Sequence, residues 1–464
     1  MENVSTQELN TIIKTRLSYR SAKVGEATPL TRDEATEVAV SLASTRARMG
    51  EQFQALQILG RRETIGCVAL EITQRCNLDC SLCYLSDHSE SVKDLPLEVI
   101  LGRLDEIKRT FGPGTAVQIT GGDPTLRQRD ELVAIVRRTR ELGLQPALFT
   151  NGILASRSLL EELSSVGLMD IAFHVDMTQE RKGYASEVEL NAIRQEYIER
   201  ARGLPLTVIF NTTAFTDNFH ELPDIVEFFR KNSDIVRMCS FQLQADTGRG
   251  ELTKRAQVIS IETIRDQIER GAGTALNWDP VMIGHPHCHS FVPTLSINGN
   301  LHSIIDDNPI VALALEDFKH VFYDRRYGVL RNTVPFLKVA IRKPIWFWWF
   351  AAYLAPRVWK ARKDLIASRG KIGRLSFFIH NFMDADGLIQ ERIDACSFMV
   401  MSPDGPISMC AHNARRDEYI LKPLEIETAE GKVVWNPLSS KPVKIRKARG
   451  QRKDSISSPA VAGQ

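Results

Sequence analysis

CVALEITQRCNLDCSLCY, residues 67–84, places a short apolar run directly before three closely spaced cysteines. The run 67–73 has the length and composition of a buried strand. Cys76, Cys80 and Cys83 follow it with the spacing C-x3-C-x2-C. Three thiolates on one tight loop can each bind one iron of a cuboidal [4Fe-4S] cluster. The absence of a fourth cysteine from the loop would leave one iron open to a substrate or cofactor.

Two other interpretations of this loop are a zinc site and three unrelated core thiols. Structural zinc sites prefer paired C-x2-C elements and four ligands, and this loop has neither. No signal peptide follows Met1, and no apolar run reaches the about 20 residues that span a bilayer. We therefore expect a cytosolic protein with reduced thiols, whose eight cysteines are metal ligands or core residues.

Short apolar runs recur downstream and alternate with amphipathic stretches. The predicted strands are 67–73, 115–120, 146–150, 170–175, 206–212 and 238–244. The predicted helices are 96–110, 128–142, 155–166, 186–202, 220–231 and 261–271. This alternation predicts an α/β fold with a parallel sheet and right-handed crossovers, either open or closed into a barrel. In such sheets the chemistry gathers at the C-terminal ends of the strands.

The composition is that of an ordinary globular protein. The 464 residues are 43% hydrophobic and 25% charged, which excludes disordered, collagenous and coiled-coil classes. We predict four segments along the chain. They are an N-terminal helical segment (1–65), the α/β core (66–275), an irregular cysteine-bearing C-terminal region (276–440) and a basic, disordered tail (441–464).

A second motif, Thr120-Gly121-Gly122-Asp123-Pro124-Thr125, closes the second predicted strand. Two adjacent glycines are weak evidence alone, because many strand-to-helix turns use them. Their position at the C-terminal end of a strand matters more, since glycine lets the backbone approach a ligand closely. The motif therefore predicts a ligand-binding turn beside the cysteine loop.

Together the cysteine loop and the glycine segment resemble the radical S-adenosylmethionine (SAM) superfamily over residues 66–275. The resemblance implies a partial (βα)6 barrel in which SAM chelates the open iron through its amino and carboxylate groups. It also implies that Gly121, Gly122 and Asp123 meet the methionine amino group, with Asp123 in place of the usual Glu. Leu82 stands where the family often has an aromatic residue, and Tyr84 follows instead.

Further candidate residues end the other predicted strands. Asn151 lies in a Thr-Asn-Gly segment that many family members share, and Gln242 ends the sixth strand. Arg249 is a candidate for the SAM carboxylate because a guanidinium suits that geometry, with a surface ion pair as the alternative. Asp176 is our candidate catalytic residue, whereas His174 has the simpler interpretation of a satisfied core histidine.

Three later cysteines, Cys288, Cys396 and Cys410, lie beside Pro, Gly, His and Asn turns. Residues 381–413 resemble the C-terminal part of a radical SAM branch that contains tetraether-lipid synthases and pterin C-methylating enzymes. That resemblance implies an auxiliary iron–sulfur cluster, with a fourth ligand from Cys67, a histidine or the substrate. The chain departs from the branch because residues 1–66 contain no cysteine and none precedes Cys288 at 283–284. Cys239, inside a strand, is interpreted as a small buried hydrophobe.

Basic and aromatic residues cluster near the C-terminal half. Residues 331–371 hold ten Lys/Arg against one acid, and residues 441–453 hold seven and none. The rest of the chain then has 42 basic against 56 acidic residues, although the formal net charge is +2. Within residues 337–363, the stretch 343–360 (KPIWFWWFAAYLAPRVWK) holds four of the six tryptophans. Trp and Tyr among Lys and Arg are typical of a bilayer interface, and the alternative is a buried core helix.

The sequence therefore predicts a radical SAM enzyme with a [4Fe-4S] cluster, SAM and a low-potential electron donor of ferredoxin or flavodoxin type. The favoured substrate is a lipid acyl or alkyl chain, at an anionic membrane surface on the inner face. One alternative is radical C-methylation of a pterin or another small molecule. The other is a non-enzymatic iron–sulfur or membrane-surface protein. We expect no nucleic-acid partner.

Overall fold

The computed structural model describes residues 43–52, 66–250, 259–280, 282–303, 305–306, 309–318, 321, 329–428, 431–439 and 443–444. Most of the predicted N-terminal helical segment (1–65) and of the predicted disordered tail (441–464) lies outside these residues. Within the first segment, residues 43–49 are helical and Gly50–Gln52 forms a 3-10 turn.

Six strand–helix units form the core in the predicted order. The strands are β1 (Cys67–Thr73), β2 (Ala116–Gly121), β3 (Gln145–Thr150), β4 (Asp170–His174), β5 (Thr207–Ala214) and β6 (Val236–Leu243). The helices are α1 (Leu97–Phe111), α2 (Arg129–Glu141), α3 (Arg157–Ser165), α4 (Asn191–Ala201), α5 (Leu222–Lys231) and α6 (Ile261–Ala272). Every neighbouring pair from β1 to β6 is parallel. Burial of all seven β1 residues explains its continuous apolar run.

The C-terminal region extends both edges of this sheet and is more regular than predicted. It contains β7 (His289–Ile297), β8 (Asn300–Ser303), β9 (Ile372–His380), β10 (Phe398–Ser402) and β11 (Gly405–Ser408). The resulting eleven-stranded order is β11-β10-β1-β2-β3-β4-β5-β6-β9-β7-β8. Strand β10 is parallel to β1 and strand β9 is parallel to β6. The barrel core therefore has eight parallel strands, because segments distant in sequence complete its edges.

Aromatic rings connect β10, near one end of the strand order, with β7 and β9 near the other end. The Phe398 ring of β10 lies 4.5 Å from that of His289 and 4.8 Å from that of His380, between ring centroids. Phe378 stacks on His380 at 4.2 Å. This cluster joins strands that make no ladder with each other, so the sheet is a barrel that side chains, and not hydrogen bonds, close at this point.

The remaining elements lie outside the barrel. They are α7 (Pro309–Asp317), α8 (Val329–Arg342), α9 (Ile345–Ala367), α10 (Gln390–Asp394), α11 (Met409–Ala414), α12 (Arg416–Ile420) and a small sheet of β12 (Leu424–Thr428), β13 (Gly431–Trp435) and β14 (Val443–Lys444). Strand β14 falls in the predicted disordered tail. Among the described helices, none combines the length and apolarity needed to cross a membrane.

Candidate active site

The cysteine loop covers the mouth of the barrel at the C-terminal end of β1. Cys76, Cys80 and Cys83 are all partly exposed. Backbone bonds fix the loop from two sides. The Ser81 amide donates to Thr178 O at 2.8 Å, and the Gly250 amide donates to Cys83 O at 2.9 Å. Segments that follow β4 and β6 therefore hold a loop that follows β1.

The three thiols lie within electrostatic reach of one another. Burial raises the pKa of the Cys80 thiol, and the charges of Asp176, Cys83 and Cys76 raise it further. Burial likewise raises the pKa of Cys76. A thiol whose pKa is raised by burial, as for Cys76 and Cys80, becomes a thiolate when a metal ion binds it.

A single metal ion does not fit the described side chains. No three His, Cys, Asp or Glu residues among them are close enough to share one ion. A cuboidal cluster has a different requirement, because each thiolate binds a separate iron. The donor set of three thiols on one loop therefore suits a cluster better than zinc.

The glycine turn packs directly against the start of the cysteine loop. The Gly122 amide donates to Thr73 O at 2.9 Å, and the Asp123 amide donates to Arg75 O at 2.8 Å. A Cβ atom at Gly122 would lie 2.0 Å from Arg75 O, so only glycine fits there. Tyr84 reinforces this contact, since its hydroxyl donates to Gly121 O at 2.7 Å. The turn and the loop thus form one unit.

Asp123 is buried and its carboxylate is fully engaged within the protein. It accepts bonds from the Thr125 amide at 3.0 Å, the Thr150 hydroxyl at 2.8 Å and the Asn151 amide at 2.8 Å. These bonds tie the end of β2 to the end of β3. The structure therefore gives the Asp123 side chain a positioning role.

Asn151 and Arg249 both reach the cysteine loop. The Asn151 amide group donates to Asn77 Oδ1 at 2.6 Å and lies 3.9 Å from Cys76 Sγ. Arg249 donates to Leu78 O at 3.3 Å, and its guanidinium lies 3.4 Å from the Asp79 carboxylate. The Arg249 Nε is buried without a partner among the described residues. Arg249 therefore contacts the cysteine loop and also forms an ion pair with the exposed Asp79 carboxylate, and its role towards SAM stays a prediction.

Asp176 does not reach the barrel interior. Its carboxylate accepts bonds from the Thr178 amide at 3.0 Å and the Thr213 amide at 2.7 Å, and it lies 2.6 Å from His174 Nε2. Burial alone would raise the pKa of Asp176, but the His174 charge and these donors lower it to about 2. A fully buried, strongly bonded carboxylate is placed to orient His174, and the catalytic role that we assigned to Asp176 stays a prediction. His174, its partner, faces the cavity instead.

A cavity of about 320 Å³ fills the barrel interior behind the loop. Small or apolar side chains form the larger part of its lining, and polar side chains form the rest. The apolar members include Ala69, Ala116, Ala147, Ile209, Met238 and Phe291, and the polar members include Gln118, His174, Asn211, Ser240, Gln242 and His380. Gln242 is therefore at the cavity as predicted. The Ser240 hydroxyl and His380 Nδ1 are buried without a partner among the described residues, so they can bind a ligand.

A buried ion pair at the cavity wall was not predicted from the sequence. Arg416 lies 2.8 Å from the Glu71 carboxylate, and its guanidinium lies 4.6 Å from the centre of the Tyr84 ring. Burial alone would raise the pKa of Glu71, but Arg416, His412 and Gln74 lower it to about 2. The only signal in the sequence was a glutamate inside the apolar run 67–73.

Replacing Arg416 with Met should destabilise the protein by about 3–5 kcal/mol, because Glu71 would remain buried without its partner. In the wild type, the depressed pKa of Glu71 gives stability above pH about 4.3 that is lost as pH falls towards 2. In the variant the lone carboxyl prefers its neutral form, so the deficit should shrink as pH falls from 8 to 5. Urea unfolding at several pH values measures this. Arg415→Met, at an exposed neighbour, is the matched control, and an equal loss there would contradict the assignment.

The later cysteines lie within electrostatic reach of one another. Cys288, Cys396 and Cys410 are all buried. Burial raises the pKa of Cys410 to about 12, with further increments from Cys396 and Cys288. Arg392 Nε donates to Cys288 Sγ at 3.2 Å. The fold thus brings three thiols from separate segments near one another, and the auxiliary cluster stays a prediction.

A parallel barrel that presents a three-thiol loop and a glycine turn at its strand ends is the architecture of an iron–sulfur enzyme with a small cofactor. Residues 70–229 match the radical SAM superfamily model, and this segment is a radical SAM domain. The predicted resemblance to this superfamily is therefore confirmed for residues 70–229.

Curated relatives match the chain over similar regions. A 7,8-dihydro-6-hydroxymethylpterin dimethyltransferase from Methanocaldococcus jannaschii is 27% identical over 216 residues, which cover 45% of this chain and 42% of the relative. A PqqA peptide cyclase from Bradyrhizobium diazoefficiens is 33% identical over 176 residues, which cover 36% and 44%. The chain thus spans less than half the length of either relative. The solved structure of Streptococcus suis SuiB bound to the precursor peptide SuiA is 17% identical, covers 57% of this chain and 55% of its own, and has a TM-score of 0.36.

Proposed function

We propose that this protein cleaves SAM reductively and abstracts hydrogen from an unactivated carbon of its substrate. The observation that carries the proposal is the unit formed by the cysteine loop and the glycine turn at the barrel mouth. When bound, the [4Fe-4S] cluster and SAM supply a 5′-deoxyadenosyl radical, at the cost of one electron from a low-potential donor. Such an oxidant is needed because no side-chain acid or base acts on an inert C–H bond.

The chain's own residues have distinct roles in this proposal. Cys76, Cys80 and Cys83 hold the cluster, and the backbone of the glycine turn receives the methionine end of SAM. Tyr84, Asn151 and Arg249 hold the cysteine loop against the ends of the strands. Gln242 lines the cavity, and Asp123 connects the ends of β2 and β3. The barrel wall keeps water from the reacting carbon, which protects a radical from side reactions. Release of 5′-deoxyadenosine by the dithionite-reduced protein tests the proposal, and a non-enzymatic iron–sulfur protein would release none.

For the substrate we favour a lipid acyl or alkyl chain. Two observations support this choice. Apolar side chains form part of the cavity lining, and an exposed aromatic and basic helical hairpin follows β8. Accumulation of an unmodified lipid in a deletion strain, measured by untargeted lipid mass spectrometry, is the expected result. An unchanged lipid profile would contradict the lipid substrate without bearing on SAM cleavage.

A pterin or similar small ring is the second candidate. The unpartnered polar atoms of Ser240 and His380 favour it, because a heteroaromatic ring with donors and acceptors would satisfy them. The similarity to a pterin dimethyltransferase supports the same class. Ser240→Ala should then weaken binding of the ring about tenfold or more, whereas it should have little effect on a lipid chain.

We further propose that Cys288, Cys396 and Cys410 hold one auxiliary cluster. A variant with Cys76, Cys80 and Cys83 replaced by Ala should keep about four irons per chain after anaerobic reconstitution, the content of one cube. Replacing Cys288, Cys396 and Cys410 as well should remove them. Iron analysis and absorption spectroscopy measure both variants. A loop variant without iron would mean that the later cysteines are structural.

A further inference from the structure

Helix α8 carries an apolar stripe on its exposed side. Leu330, Val334, Leu337 and Ile341 recur at spacings of four, three and four residues, which places them on one helical face. All four side chains are exposed. The opposite side is the packed one, since Ala340 is buried and Phe336 contacts the neighbouring core cluster. An ordinary surface helix has the reverse arrangement, with polar residues outward.

Helix α9 also has one packed side and one exposed apolar side. Trp346 is 0% exposed, and its indole N–H donates to Asp317 at 2.9 Å. Trp348 and Trp359, in contrast, are 72% and 68% exposed. Further exposed apolar side chains of the same helix are Ile345, Phe347, Leu354, Val358 and Ile366. One part of the aromatic segment is therefore core, as the alternative interpretation held, whereas the rest forms an apolar outer face.

Most charges around this outer face are positive, although Lys343 pairs with Asp317 and Arg357 pairs with Asp306. Residues 331–371 contain ten Lys/Arg and a single acid, Asp364. That acid is turned to the protein, because it accepts a bond from Asn300 Nδ2 at 2.8 Å and lies 3.1 Å from His302 Nε2. Lys338, Arg342, Lys360 and Lys363 are exposed. The face is thus an apolar patch with a cationic rim.

We propose that this outer face of α8 and α9 docks on an anionic lipid bilayer. Exposed tryptophans insert at headgroup level, and lysines and arginines with long apolar stems reach the phosphates. A second copy of the chain is a poor occupant, because two cationic faces would repel each other. So many exposed apolar side chains on two successive helices indicate an interaction surface and not ordinary exposure.

The inference deepens the proposed function and rests on its lipid substrate, since docking would bring the barrel to the lipid chains. It does not depend on the radical chemistry, which 5′-deoxyadenosine release measures separately. Failure of membrane binding with intact SAM cleavage would thus overturn the docking surface alone.

The decisive variant is Trp348→Ser with Trp359→Ser. Both side chains are exposed, so the variant should keep the melting temperature and SAM cleavage of the wild type. In sedimentation with phosphatidylcholine–phosphatidylglycerol vesicles, the full chain should bind and this variant should bind at least about tenfold more weakly. Lys338→Glu with Lys360→Glu should weaken binding by a similar factor and flatten its dependence on salt. Vesicles of phosphatidylcholine alone should capture little wild-type protein.

The matched control is Val188→Ser with Leu438→Ser, two exposed apolar residues outside the hairpin. It should bind vesicles like the wild type. Equal binding by the tryptophan variant, or no binding by the wild type, would overturn the proposal. A concentration-dependent dimer that the tryptophan variant abolishes would also overturn it, because a second copy would then cover the face.

Discussion

Replacing Cys76, Cys80 and Cys83 together with Ala should abolish release of 5′-deoxyadenosine from SAM. The expected loss is complete, because the three thiols are the donors on the loop and their removal leaves no ligands for the SAM-binding cluster there. The fold should survive, since all three side chains are partly exposed and the loop is held by backbone bonds from Ser81 and Gly250. Anaerobic reconstitution, reduction with dithionite and chromatography of the products measure the effect.

Cys239→Ala is the control for this experiment. Cys239 is fully buried in β6 and has no place in the site, so its loss should reduce stability through a small cavity. Its SAM cleavage per bound cluster should match the wild type. Continued release of 5′-deoxyadenosine by the triple variant would show that the cluster lies elsewhere.

The barrel strands could be predicted because parallel strands buried on both faces appear as continuous apolar runs. The prediction for β1 coincides with the structure at residues 67–73, and those for the other five differ by one or two residues at their ends. The later strands lack this signal. Strand β7 contains Pro293, which is unusual in a strand. Strand β9 pairs with β6, although helices α7, α8 and α9 lie between them in the sequence. Pairing between distant segments leaves no local pattern in the sequence, so the sequence predicted an irregular C-terminal region.

In the candidate site, too, local motifs could be predicted and contacts between distant residues could not. The cysteine loop and glycine turn are contiguous motifs, and their chemistry is visible in spacing alone. Glu71 and Arg416 are 345 residues apart, and only the fold shows that they pair. Asp176 shows a limit of the sequence, because a strand end can point a side chain inward to a ligand or sideways to neighbouring backbone amides. The sequence cannot distinguish these orientations, and the structure assigns Asp176 to the second.

Gly122→Ala should lower the rate of SAM cleavage about a hundredfold, while the cluster is retained. The added Cβ would lie 2.0 Å from Arg75 O, a backbone atom that cannot move without shifting the turn or the loop. A displacement of about 1 Å between catalytic parts is enough to cost this factor in rate. The three cysteines can still bind the cluster when the turn is displaced, so the iron content should remain that of the wild type.

Gly102→Ala is the control, since its Cβ meets nothing within 4 Å in the middle of α1. That change should leave the rate unaltered and increase stability by up to about 1 kcal/mol. Wild-type cleavage by Gly122→Ala would mean that the turn tolerates a side chain and does not set the position of SAM.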